Sequence, residues 1–135
     1  ATVYVLGHVA QHSPHLMQQL LSDGHRLGSH GYWHGHQERE GDASDLMTRR
    51  LLPSCVGYRS PFWDTTPRPG WCGGVFFRTL PYAWLRSEIQ RAGLLYVHPH
   101  DFLSNHDGPW RRRALWCNPW DRLERLLTEL PFSHE

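Results

Sequence analysis

The 135-residue chain predicts an α/β fold built on a parallel sheet. Three observations carry that prediction. β-Branched and aromatic runs alternate with segments of helical periodicity, glycine or proline marks most of the switches, and polar residues able to do chemistry follow the strand-like runs. At this length one domain over residues 1–135 is expected, large enough to bury a core and short for a complete α/β barrel enzyme.

Thr2–Leu6 (Thr-Val-Tyr-Val-Leu) reads as a buried-type strand closed by Gly7. A helix follows, with Ser13 as cap, Pro14 in the first turn, Leu16, Met17, Leu20 and Leu21 on one face, and Gly24 as its stop. Arg26–Ser29 returns as a short strand that delivers His30 and His34. Residues 37–43 are polar and contain glycine, hence a loop, and Asp45–Leu52 forms a weak helix ended by Pro53. Val56–Tyr58 leads as a strand into Arg59-Ser60-Pro61-Phe62-Trp63. Residues 64–74, with two prolines and three glycines, form a loop. Pro81 opens another helix, with Trp84, Leu85, Ile89 and Ala92 at helical spacing and Gly93 as its stop. Leu94–Val97 is a strand that ends at His98. Asn118 and Pro119 start a last helix whose buried stripe is Leu123, Leu126, Leu127 and Leu130.

Composition excludes several classes of function. All fourteen basic residues are arginine, yet they are scattered and the formal charge is only +1, so there is no electrostatic case for binding nucleic acid. The one basic run, Arg111–Arg113, reads as a solvated or anion-facing loop. No stretch approaches a membrane span and no signal peptide opens the chain. Cys55, Cys72 and Cys117 are odd in number and far apart, which fits free thiols in a reducing compartment. A cytoplasmic location is therefore expected, or a periplasmic or envelope-associated one if a leader precedes Ala1. Seven tryptophans, five tyrosines and five phenylalanines suit stacking on sugar faces, although most are expected in the core. Nothing in the sequence sets an oligomeric state.

The chemistry begins with His30 and His34. Four residues apart after a strand end, their rings fall on one side of a helix or tight turn, where two neutral nitrogens can share a divalent metal. With eleven histidines in the chain, a chance pair is the competing reading. Against chance stands the placement of two further clusters, Arg59–Trp63 and His98, at later strand ends, because in a parallel α/β fold such ends gather at one ligand-binding rim.

Taken together these motifs resemble the polysaccharide deacetylase (NodB-like) family of metal-dependent carbohydrate esterases, whose fold is a distorted (β/α) barrel. Ala1–Gly7 looks like that family's second strand. Gly24-His25-Arg26-Leu27-Gly28-Ser29-His30-Gly31-Tyr32-Trp33-His34 is similar to its metal-binding motif, Arg59-Ser60-Pro61-Phe62-Trp63 to its Arg-x-Pro segment, and Leu95-Tyr96-Val97-His98-Pro99 to its Leu-x-x-His-Pro segment. The stretches 73–81 and 98–102 resemble the branch associated with exopolysaccharide and O-antigen synthesis. The resemblance implies removal of an N-acetyl group from an amino sugar, with zinc or another divalent transition metal such as cobalt held by His30 and His34. It implies His98 as general acid, Arg59 as the residue that holds a catalytic carboxylate, and the Phe62 N–H as oxyanion donor. Trp63, with Pro61 and Tyr32, would line the sugar site.

The chain departs from that pattern in one respect that matters chemically. The family's first strand supplies a pair of aspartates, and none of Asp23, Asp42, Asp45, Asp64, Asp101, Asp107 or Asp121 follows a buried strand in the matching place. Two histidines alone make a weak zinc site, since catalytic zinc takes about three protein ligands. The resemblance therefore predicts an incomplete barrel, truncated or with segments missing. Its alternative is a non-catalytic carbohydrate-binding remnant of the same fold.

Overall fold

The computed structural model describes residues 1–63, 75–98, 102 and 118–132, with the side chains of Trp63 and Val75 excepted. The backbone divides into two compact units, Ala1–Arg68 and Pro69–Glu135.

The first unit is a parallel β–α–β arrangement. β1 (Thr2–Val5) and β2 (Arg26–Ser29) pair in parallel with Thr2 opposite Arg26 and Val5 opposite Ser29. Two helices join them, α1 (Gly7–His12) and α2 (Pro14–Ser22). Gly7 therefore opens a helix rather than a turn. The expected cap at Ser13 does not form, because Ser13 is the kink between the two helices and its side chain makes no capping bond. Pro14 starts α2, and Gly24 stands just past its end at φ 82°. Val5, Ala10, Met17, Leu27 and Leu52 form the buried core, and Leu20 and Leu21 pack against it, whereas Leu16 faces outward.

α3 (Ala43–Leu51) begins two residues earlier than the sequence predicts, because Asp42 is a strong N-cap: its Oδ1 accepts the Asp45 N–H at 2.9 Å. Val56–Arg59 runs beside β2, with Val56 N–H donating to Leu27 O (2.9 Å) and Arg59 N–H to Ser29 O (2.8 Å). Only Ser29 and Tyr58 form a full β-bridge there, so the expected strand exists as a single parallel contact. A glycine in β2 leaves room for a ring from β1. Tyr4 sits opposite Gly28, and a Cβ at Gly28 would lie 2.6 Å from the Tyr4 ring. The chain then turns through a short 3-10 segment, Pro61–Trp63.

The second unit is helical among the described residues. α4 (Val75–Thr79), α5 (Tyr82–Ala92) and α6 (Pro119–Glu129) enclose a core of Phe77, Leu85, Ile89, Leu126 and Leu130. Gly93 ends α5 in the left-handed conformation, and Asn118 caps α6 by accepting the Trp120 N–H at 3.0 Å. Two expected stripes are narrower than their spacing suggests. Trp84 and Ala92 on α5 and Leu127 on α6 face solvent. A third position is reversed: Arg122 is buried, donating to the carbonyls of Phe77 (2.7 Å) and Leu80. That guanidinium caps the C-terminal end of α4, where carbonyls lack helical partners. Residues 94–97 form no strand element, although Tyr96 makes a β-bridge.

The described residues are thus mixed helix and strand with a small parallel sheet, compatible with the α/β class.

Candidate functional site

In the first unit the C-terminal ends of the paired segments meet as the sequence pattern requires. His30 directly follows β2 and its N–H donates to Val5 O at 2.9 Å, while Gly7 N–H donates to Gly31 O at 2.9 Å. The Arg59 backbone lies beside Ser29 through the bond given above. His30 and Arg59 are therefore brought together by main-chain pairing before any side chain is considered.

The imidazoles of His30 and His34 have ring centroids 5.1 Å apart, set edge to face. His30 Nδ1 lies 2.7 Å from the Arg59 carbonyl oxygen. A carbonyl only accepts, so Nδ1 carries the proton and Nε2 is left with its lone pair, the arrangement by which metal-binding histidines are oriented. His34 sits at φ 66°, and its ring meets the Phe62 ring at 4.6 Å. Phe62 is itself at φ 56°, and its ring is stacked on His36 at 3.8 Å and 8°. Left-handed backbone costs a non-glycine residue about 1–2 kcal/mol, and such residues gather at functional sites. Two of the three among the described residues touch here.

The loop carrying both histidines is pinned from α3 and from its own far end. Ser44 Oγ accepts the Tyr32 N–H at 2.6 Å, and the Thr48 hydroxyl reaches Gly31 O at 3.0 Å. Glu38 accepts the Trp33 N–H through Oε1 at 2.8 Å, and its carbonyl accepts the Tyr58 hydroxyl at 2.7 Å. Burial, with Asp42 and Glu38 nearby, pushes the Tyr58 phenol well above its ordinary range, so it stays a donor at any physiological pH. Tyr32 and Pro61, expected to face substrate, are instead buried. The Tyr32 hydroxyl donates to Gln11 Oε1, making the ring a support for the loop.

Arg59 is half-buried, with its guanidinium carbon 5.5 Å from the Tyr4 ring centroid. His98 belongs to the second unit, where the Tyr96 hydroxyl is hydrogen-bonded to its Nε2 and the two rings meet edge to face at 4.6 Å. The Trp63 side chain and the residues that follow it to 74 lie outside the described residues, as do Pro99 to Asp101.

Residues 1–51 match the polysaccharide deacetylase family model. The polysaccharide deacetylase match takes in β1, both connecting helices, β2, the His30–His34 loop and α3, all within the first unit. No curated protein and no solved structure matches the chain. Polysaccharide deacetylases being generally metal-dependent, the imidazole pair fits two positions of a cation site: the rings adjoin and the His30 tautomer is set correctly. Among the described residues no group of three or more His, Cys, Asp or Glu side chains converges.

Proposed function

We propose that the chain acts as a metal-dependent hydrolase that removes an N-acetyl group from an amino sugar of a surface polysaccharide or its precursor. The observation that carries this reading is the His30–His34 pair, with His30 locked by the Arg59 carbonyl, inside the segment that matches polysaccharide deacetylases. His30 and His34 would hold the cation. Zinc or cobalt, when bound, supplies Lewis-acid catalysis at the acyl carbonyl. Of the chain's own residues, the Phe62 N–H would donate to the oxygen that gains charge and Arg59 would orient a carboxylate, while the general-acid role, a proton for the departing amine, is the one the resemblance gives to His98. The products are acetate and a free amino group.

A second reading is a carbohydrate-binding protein without turnover. It is favoured by the donor count, since the described residues bring two side-chain ligands together where catalytic zinc takes about three.

Elemental analysis and acetate release separate the two. The parent protein is expected to take up one zinc or cobalt and release acetate from N-acetylated sugars. His30→Ala and His34→Ala each lose the metal, and His98→Ala keeps it but releases acetate at least a hundredfold more slowly. Unchanged metal content in both ligand variants overturns the site assignment, and metal without acetate release selects the binding protein.

A further inference from the structure

Next to His34 in the chain stands an exposed aromatic ring with no part in the chemistry above. Trp33 is 70 % exposed, yet its indole is held in place. The His8 imidazole stacks on it with 5.6 Å between centroids and 13° between planes, and the Tyr32 ring meets it edge-on at 4.7 Å. Each support is itself fixed. His8 Nδ1 bonds to the Tyr32 carbonyl at 2.9 Å, the Tyr32 hydroxyl is tied to Gln11, and the Trp33 backbone is tied to Glu38 Oε1.

Single exposed apolar residues are ordinary. An exposed indole that has already lost its rotamer freedom is different, because a ligand stacking on it pays little ordering entropy. Phe62 repeats the device: 44 % exposed, backed by His36, and in T-shaped contact with His34. Trp33 precedes His34 in the chain, so the flat surface begins one residue from the proposed metal ligand. Both Trp33 and His8 fall within the segment that matches polysaccharide deacetylases. A pyranose ring offers a matching surface, with one flat C–H face and hydroxyls at its edge.

We infer that Trp33, backed by His8, is a stacking platform for a neutral sugar residue adjoining the one that is deacetylated. The substrate is then an oligosaccharide or polymer rather than a free amino sugar. This rests on the function proposed above for its reacting position, but not for its test, which reads binding alone.

The full chain is titrated with N-acetylglucosamine and with its β-1,4-linked tetramer by calorimetry, using the parent, Trp33→Ala and Trp33→Phe. The parent is expected to bind the tetramer at least tenfold more tightly than the monomer. Trp33→Ala reduces that ratio by about tenfold, the size expected of one aromatic stack, and Trp33→Phe retains most of it. The readout is binding alone, so it bears on the platform even if the protein proves to release no acetate. A ratio equal in parent and Trp33→Ala overturns the inference, as does a parent that binds neither sugar. So does tighter Trp33-dependent binding of uridine diphosphate than of the tetramer, which would assign the ring to a nucleobase.

Discussion

Replacing Gly31 by alanine tests whether the loop bearing His30 and His34 is held as tightly as its contacts imply. Gly31 has φ 76°, and a Cβ built on it would run into the Glu38 carboxylate, whose Oε2 is buried against it. Two costs add. Left-handed backbone with a Cβ costs about 1–2 kcal/mol, and displacing the carboxylate gives up its bond to the Trp33 N–H, a charge-assisted contact worth about 1.5–3 kcal/mol. Gly24→Ala is the internal control: its φ is 82°, but nothing lies within 4 Å of the added carbon, so only the first cost applies. The expected difference between the two variants is about 2 kcal/mol, which at typical urea m-values moves the unfolding midpoint by about 1 M. Urea unfolding followed by circular dichroism measures it. Gly31→Ala and Gly24→Ala destabilising equally would refute the claim that Glu38 is wedged under the loop. If the wedge is real, adding Glu38→Ala to Gly31→Ala costs less than the two single changes summed.

Two further expectations concern the second unit. Arg122→Ala leaves the Phe77 and Leu80 carbonyls without their donor and is expected to destabilise by about 2–4 kcal/mol in denaturant unfolding, with Arg122→Lys recovering part of the loss. Stability of this unit should also fall in acid: Glu129 is held below its ordinary value of 4.5 by hydrogen bonds from Arg125 and then Tyr82, so what it contributes is present above that value and lost as pH drops through the lowered one. Thermal unfolding from pH 6 to pH 3 shows the decline, and Glu129→Gln flattens it.

The first unit was more legible in the sequence than the second, for a physical reason. Thr2–Val5 and Arg26–Ser29 are short apolar runs with glycine at hand, and parallel pairing places whatever follows them at one rim. That logic was enough to bring His30, His34 and Arg59 together. What escaped it was the support. Ser44 and Thr48 sit four apart on a polar helix and look like surface residues until the Gly31 and Tyr32 backbones are laid against them. Tyr32, expected at the sugar site, is buried in a loop that turns at Gly31 and again at His34. In the second unit, helix starts and stops were readable from Pro81, Gly93 and Asn118. So were the inward faces at Leu85, Ile89, Leu126 and Leu130; what escaped was the buried Arg122, whose two carbonyl partners come from a distant segment.

The latch on the His30 ring has one further consequence. It is made by a peptide oxygen, so it is blind to the identity of the residue that supplies it. Exchanging the arginine at position 59 for almost any other amino acid would leave the proton on Nδ1 where it is, whereas adding or removing a single residue between Gly57 and Pro61 would slide a different carbonyl into place and let the imidazole swing. The latch itself should therefore survive a change of side chain at position 59, whatever else that side chain does, and fail when the length of the segment changes.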